Sequence, residues 1–210
     1  MSFDRRVSQH DEMAIPIVVE HFAAIGFACY ELGTETDSKG LHSALMAQYD
    51  GTSIMLRFRP DRVFIKPRYR SILCEIKSEA NGYRNFAIEA DSFQAAHEWD
   101  SGHERVMYAF VDLSNGHVVM CCWASDIPMP YRIFVPRRWD FDEQFQRMSI
   151  AYSGAVIEPK EYRGGSGTPY FLISKSSQYL RLFDEFMTSI INESVYQGQL
   201  VIICRNNNIL

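Results

Sequence analysis

Two nearly uninterrupted apolar runs, Val106–Leu113 and His117–Trp123, stand close together with only Ser114-Asn115-Gly116 between them. A triplet of turn formers between two strand-length segments reads as a hairpin. Neither run alternates between polar and apolar residues, so both strands must be covered on both faces. The chain therefore has to supply packing layers on either side of a central sheet, and helices are the usual source in a mixed α/β domain. Its 210 residues, 47% hydrophobic and 22% charged, suffice to bury such a core without metal or disulfide staples and exclude a disordered tail or a coiled coil.

Helical spacing of Ile15, Val18, Val19, Phe22, Ile25 and Cys29 predicts a helix over about 11–32, with Pro16 in its first turn and Gly33 as the stop. Three short strands are expected next, at 53–59, 62–66 and 71–77, each bounded by turn residues such as Asp50-Gly51, Arg59-Pro60 and Lys66-Pro67. A loop at Asn81-Gly82, a helix over 91–100 and the hairpin follow. Beyond Ile127-Pro128 the text turns irregular, and 163–169 reads as a flexible loop. An amphipathic helix is expected from Ser174 to about Glu193, with Tyr179, Leu180, Leu182, Phe183, Phe186 and Ile190 on its apolar side. A strand over 199–204 closes the chain. This order divides it into a core, residues 1–130, and an extension, 131–210, packed on that core.

The chemistry concentrates in the strand SILCEIK. Alternation puts Leu73, Glu75 and Lys77 on one face and Ile72, Cys74 and Ile76 on the other, so Glu75 and Lys77 point the same way with Cα atoms roughly 6–7 Å apart. An acid and a lysine ending an apolar strand are expensive unless they pair or serve a ligand. Folding 62–74 as a hairpin about Arg68 or Tyr69 brings Asp61 beside Glu75, and two such carboxylates suit a hard divalent cation. Acid-x-lysine occurs three times, at 37–39, 75–77 and 158–160. The first lies in a polar turn and the last carries Pro159, which a central strand would exclude. Only Glu75-Ile76-Lys77 sits on an apolar strand whose neighbour begins with Pro-Asp.

Pro60-Asp61 followed by Glu75-Ile76-Lys77 resembles the signature of the PD-(D/E)XK nuclease superfamily, whose members include restriction enzymes and Holliday-junction resolvases; the text around Glu75-Ile76-Lys77-Ser78 is most similar to the resolvase branch. The resemblance spans about 10–125 and implies a restriction-endonuclease-like αβββαβ core with a mixed sheet flanked by helices, plus a C-terminal α/β extension. It further implies a Mg²⁺- or Mn²⁺-dependent endodeoxyribonuclease, structure-specific in many relatives. Asp61, Glu75 and the Ile76 carbonyl would hold the metal, Lys77 would orient the attacking water, and Glu20 on the first helix and Gln94 on the second would join the site. DNA is the implied partner, and a homodimer the implied assembly, since two strands must be cut. The rival reading is an inactive module of the same fold that binds nucleic acid or a protein; the presence of all four residues Glu20, Asp61, Glu75 and Lys77 favours activity.

Charge is distributed to match. The net charge is −5, yet Arg57, Arg59, Arg62, Lys66, Arg68 and Arg70 face only Asp61 between 57 and 70, a local track suited to phosphates on an acidic body. Of the 21 basic residues 16 are arginine, whose planar fork matches phosphate. A solvated hairpin would show the same pattern, and Arg137-Arg138 either extends the track or is simply solvated, the second being favoured. The six histidines show no paired metal spacing. Five cysteines without a CxxC pair indicate reduced thiols, with Cys121-Cys122 in the core, and the absence of an apolar leader or of a run of about 18 apolar residues adds the expectation of a cytoplasmic, non-membrane protein.

Overall fold

The computed structural model describes residues 10–32, 56, 59–101, 105–127, 157–160 and 170–192. A π-helical turn, His10–Ala14, leads into α1, Ile15–Ala24, with Pro16 in the first turn as expected. Here the structure corrects the expected helix over 11–32. Ile25-Gly26 ends it: the Gly26 N–H donates to the Ala23 carbonyl at 2.9 Å and the Phe27 N–H to the Phe22 carbonyl at 3.0 Å, the paired bonds of a Schellman cap. Gly26 takes φ +84°, which suits glycine, and the Phe27 ring meets the Phe22 ring edge-on at 5.5 Å. Lys66 completes the cap by donating to the Ile25 carbonyl at 2.7 Å, a cation at the negative end of the helix.

Released from the helix, Ala28–Glu31 forms β1 and pairs antiparallel with β2, Arg62–Ile65. β1 takes the place expected for a strand at 53–59. Most of that segment lies outside the described residues, and within it Leu56 is helical and Arg59 extends no strand. β2 turns back into β3, Ile72–Glu79, through Lys66-Pro67-Arg68-Tyr69. Pro67 stands second and Arg68 third with φ +71°, as in a type II turn, closed by a Tyr69 N–H to Lys66 carbonyl bond of 3.1 Å.

Two further elements, β4 (Asn85–Glu89) and α2 (Ala90–Ser101), carry the chain across to β5 (Val106–Asp112), which lies parallel to β3; β6 (Val118–Trp123) then pairs antiparallel with β5. Every residue of β5 is buried, as the uninterrupted apolar run requires. Three strands come from the C-terminal part: β7 (Ile157–Lys160), β8 (Tyr170–Ser174) and β9 (Arg181–Leu182). The fold is mixed α/β. Its central sheet has six strands in the order β1-β2-β3-β5-β6-β9, and a smaller sheet has the order β4-β8-β7, with Pro159 confined to the edge strand β7.

The expected helix over 174–193 is also corrected. The described helix, α3, covers 183–192, and Ser174–Leu180 forms turns closed by Ser177 N–H to Ser174 carbonyl (2.9 Å) and Leu180 N–H to Ser177 carbonyl (3.1 Å). Serine side chains there bond to nearby backbone, as Ser174 Oγ does with the Ser176 N–H, and so compete with helix formation. The segments 34–49, 128–156, 163–169 and 199–204 lie outside the described residues.

Each sheet face has its own core. On one side α1 (Val18, Phe22) and α3 (Phe183, Phe186, Met187, Ile190) cover Phe64, Ile72, Cys74, Ile76, Met107, Ala109 and Cys121. The Phe22 and Phe64 rings stack with centroids 3.7 Å apart. On the other side α2 and the small sheet bring Phe93, Ala96, Phe86, Ile88 and Ile173 against Val106, Tyr108, Phe110 and Cys122. The described cysteines are unpaired, and burial holds the thiols of Cys74, Cys121 and Cys122 well above their ordinary range, which suits core residues and not nucleophiles. No described helix is long and apolar enough to cross a membrane.

Candidate active site

The β2–β3 hairpin has the register Arg62↔Cys74, Val63↔Leu73 and Phe64↔Ile72. Continued by one step, it sets Asp61 opposite Glu75. Asp61 Oδ2 accepts the Ile76 N–H at 2.8 Å, which ties the acid to the neighbouring strand at the point where the ladder ends. The face of β3 that carries Glu75 and Lys77 is the one turned toward α2 and Tyr108, whereas Cys74 and Ile76 are buried beneath α1.

Glu75 is buried, 7% exposed. Its Oε1 receives both the Lys77 ammonium at 2.7 Å and the Ser92 hydroxyl at 3.0 Å from the first turn of α2, so Oε2 is the oxygen left to a further ligand. Burial and the Asp61 charge raise its pKa from 4.5 to about 6, against the opposing pull of Lys77 and Ser92. For Lys77 burial works the other way, but the charges of Glu75, Asp61 and Glu89 outweigh it and hold the ammonium above its ordinary range. Tyr108, the parallel register partner of Glu75, lies under the carboxylate, fully buried. Burial together with the Glu75 charge lifts its phenol well above the usual range, so it stays protonated.

Asp61, Glu75 and Lys77 thus come together as the spacing implied. Glu20 does not join them. It is exposed on α1, the helix that packs on the opposite face of the sheet, and lines a groove of about 450 Å³ with His21, His117, Leu182 and Asp184. Gln94 lies in α2, but its side chain is outside the described residues, as is Arg57.

The remaining members of the basic track divide by role. Arg62 donates to Glu31 at 2.9 Å and to the Asp61 carbonyl at 2.9 Å, and Lys66 caps α1 with its ammonium 4.7 Å from the Tyr69 ring centroid. Arg68 and Arg70 are exposed at the hairpin turn, and Arg59 is half-buried. Sequence reasoning missed Ser92, Glu89 and Tyr108. The strand-to-helix junction NFAIEADS carried a weak signal for the first two, in an acid and a serine flanking a helix start; the third needed the parallel register of β3 and β5.

Chemically, the arrangement is a pair of like charges on one face of the central sheet, where β2 begins beside β3, with an ammonium beside them. Among the described residues no group of three or more His, Cys, Asp or Glu side chains is placed to hold a metal unaided. The donor set nonetheless fits a hard cation that keeps open positions: Glu75 is raised by burial and then by the Asp61 carboxylate, and a bound dication would offset both.

No protein-family model matches this sequence, and no curated protein does. Among solved structures the chain is similar to a Holliday junction resolvase from the archaeal hyperthermophile Archaeoglobus fulgidus, with 11% identity and a TM-score of 0.38 over 58% of this chain and 78% of the other.

Proposed function

We propose that this protein is a divalent-metal-dependent endodeoxyribonuclease whose centre is Asp61, Glu75 and Lys77. One observation carries the reading: the hairpin register brings the acid of Pro60-Asp61 against Glu75-Ile76-Lys77, with a buried carboxylate of raised pKa and a lysine 2.7 Å from it. A buried carboxylate held above its usual range by burial and a neighbouring acid marks a candidate functional site.

Asp61, Glu75 and the Ile76 carbonyl would hold Mg²⁺ or Mn²⁺. Bound there, the ion supplies charge neutralisation at the phosphate and a more acidic water. Lys77 stays protonated through the neutral range, so it orients the attacking water and stabilises the negative charge that builds as the water oxygen bonds to phosphorus and the leaving oxygen departs. Ser92 fixes the Glu75 rotamer through its 3.0 Å bond. Exposed Arg68 and Arg70 grip the flanking backbone, positioning DNA without reading its sequence. On this reading the chemistry belongs to residues 1–130 and residues 131–210 are an extension of that core.

The test is cleavage of branched, linear and single-stranded DNA with Mg²⁺ or Mn²⁺. The parent nicks or cuts at least one of these, chelation stops it, and Lys77→Ala lowers the rate at least about 100-fold at a temperature where circular dichroism shows it folded, in line with the loss of one transition-state contact. A Lys77→Ala protein that cuts as fast as the parent overturns the assignment; a parent that binds DNA tightly and never cuts it is an inactive module of the same fold.

A further inference from the structure

The site face does not end at the carboxylates. Alternation along β2 places Val63 and Ile65 in line with Asp61, and the β1 register sets Tyr30 opposite Val63 and Ala28 opposite Ile65. Leu73 continues the row across β3 toward Glu75. Their neighbours Cys29 and Phe64 point the other way, into the core beneath α1. The outcome is a shelf of four residues, Ala28, Tyr30, Val63 and Ile65, on the same face as Glu75 and beside it. Tyr30 is 56% exposed and Ile65 42%, and among the described strands β1 is at the edge of the sheet. An exposed aromatic and an exposed isoleucine, diagonal neighbours on one face of this strand pair, are costly to leave in water without a use.

Charge narrows what the shelf receives. It lies between the phosphate-directed cluster Asp61–Glu75–Lys77 at one end and the hairpin turn at the other, where Arg68 and Arg70 are exposed and no acid occurs from Val63 to Cys74. A ligand lying along it meets the exposed Arg68 and Arg70 at the turn, an apolar, aromatic surface in the middle and, at the far end, the site that the nuclease reading assigns to a phosphate, with Lys77 beside its two carboxylates. That is the pattern of a polymer with anionic links and flat apolar side groups, and it matches single-stranded nucleic acid, whose bases are free to stack.

We propose that Tyr30, which shares this face with Val63 and Ile65, is a stacking platform for an unpaired base next to the phosphate that the site cleaves. The proposal deepens the nuclease reading and rests on it for the identity of the polymer: the preferred substrate has single-stranded or frayed character beside the cut.

The experiment is fluorescence anisotropy of the full chain, in chelator so that nothing is cut, with a labelled short single-stranded oligodeoxynucleotide and with its duplex. Tyr30→Ala weakens single-strand binding about 5- to 150-fold, the range of one stacked base, while Tyr30→Phe and Tyr30→Trp retain it and duplex binding moves less than about twofold. Sedimentation velocity accompanies each variant. Equal single-strand affinity for Tyr30→Ala and the parent overturns the platform, as does a parent that binds no single strand. A dimer that Tyr30→Ala converts to monomer also overturns it and identifies the shelf as a contact between copies. If Tyr30 governs binding but no metal supports cleavage, the nuclease reading fails and the platform stands; if cleavage depends on Lys77 and binding ignores Tyr30, the reverse holds.

Discussion

Glu75 illustrates how one side chain acquires a task from its surroundings. In water it would ionise at about 4.5; here burial and the charge of Asp61 raise it to about 6, while Ser92 and Lys77 favour the ionised form. In the metal-free protein this carboxylate takes up a proton as pH falls through that value, whereas Lys77, held above its ordinary pKa, keeps its charge through the neutral range. Removing the Ser92 hydroxyl withdraws one of the interactions that favour the charged form. Ser92→Ala should therefore shift the Glu75 titration of the metal-free protein upward. Carboxyl ¹³C shifts recorded across pH 4–8 would show the movement, and an unchanged titration would remove Ser92 from the site. Asp61 was legible beforehand because hairpin arithmetic is local. Ser92 and Tyr108 were not: they reach Glu75 through α2 and the parallel β3–β5 register, which no neighbouring residue encodes.

Among the elements, the failures share a cause, since periodicity cannot say where a pattern stops being used. The helical spacing from Ile15 runs on into Cys29, yet Gly26 at φ +84° ends α1 and frees Ala28–Glu31 to become β1. The same confusion merged the turns at 174–180 and the two-residue β9 with α3, because Tyr179, Leu180 and Leu182 fit a helical stripe by chance. β4 was missed as a short alternating segment between a loop and a helix. The hairpin of β5 and β6 was read correctly because burial on both faces leaves a run that no amphipathic helix imitates. The cap itself is testable. A Cβ at Gly26 would find the Lys66 side chain at 3.6 Å, an ordinary contact, so the penalty of Gly26→Ala is conformational alone. Urea unfolding should show a loss of about 1–2 kcal/mol, with Gly26→Asn losing less because asparagine tolerates the left-handed region. A neutral Gly26→Ala would mean that the cap does not hold α1 against β1.

For the whole molecule, the question is what fastens the C-terminal strands to the central sheet. Glu79 and Asp112, register partners at the ends of β3 and β5, are both buried, and Lys175 from the turn after β8 reaches them at 3.0 and 2.5 Å. Its backbone N–H bonds the Arg84 carbonyl, so one residue joins both sheets. Nothing in the sequence pairs position 175 with 79 and 112, since each is unremarkable alone and only the folded chain assembles them. Removing the cation leaves two buried carboxylates uncompensated, and Lys175→Met should cost about 3–5 kcal/mol. The pH dependence follows with its sign. Burial alone would raise Asp112, but bonds from Lys175 and Ser114 prevail and hold it below 3.8. A depressed acid contributes stability that is present above its unfolded pKa and lost as pH falls through the folded one; Lys175, raised above 10.5, contributes below that value and loses its share as pH climbs past it. The parent should therefore weaken from about pH 4 downward as Asp112 protonates, and Lys175→Met, in which protonation relieves repulsion, should show a shallower acid limb or gain stability over the same range. Urea midpoints from pH 2 to 8 for the two proteins decide it, and parallel acid limbs would show that the cluster is not what joins the sheets.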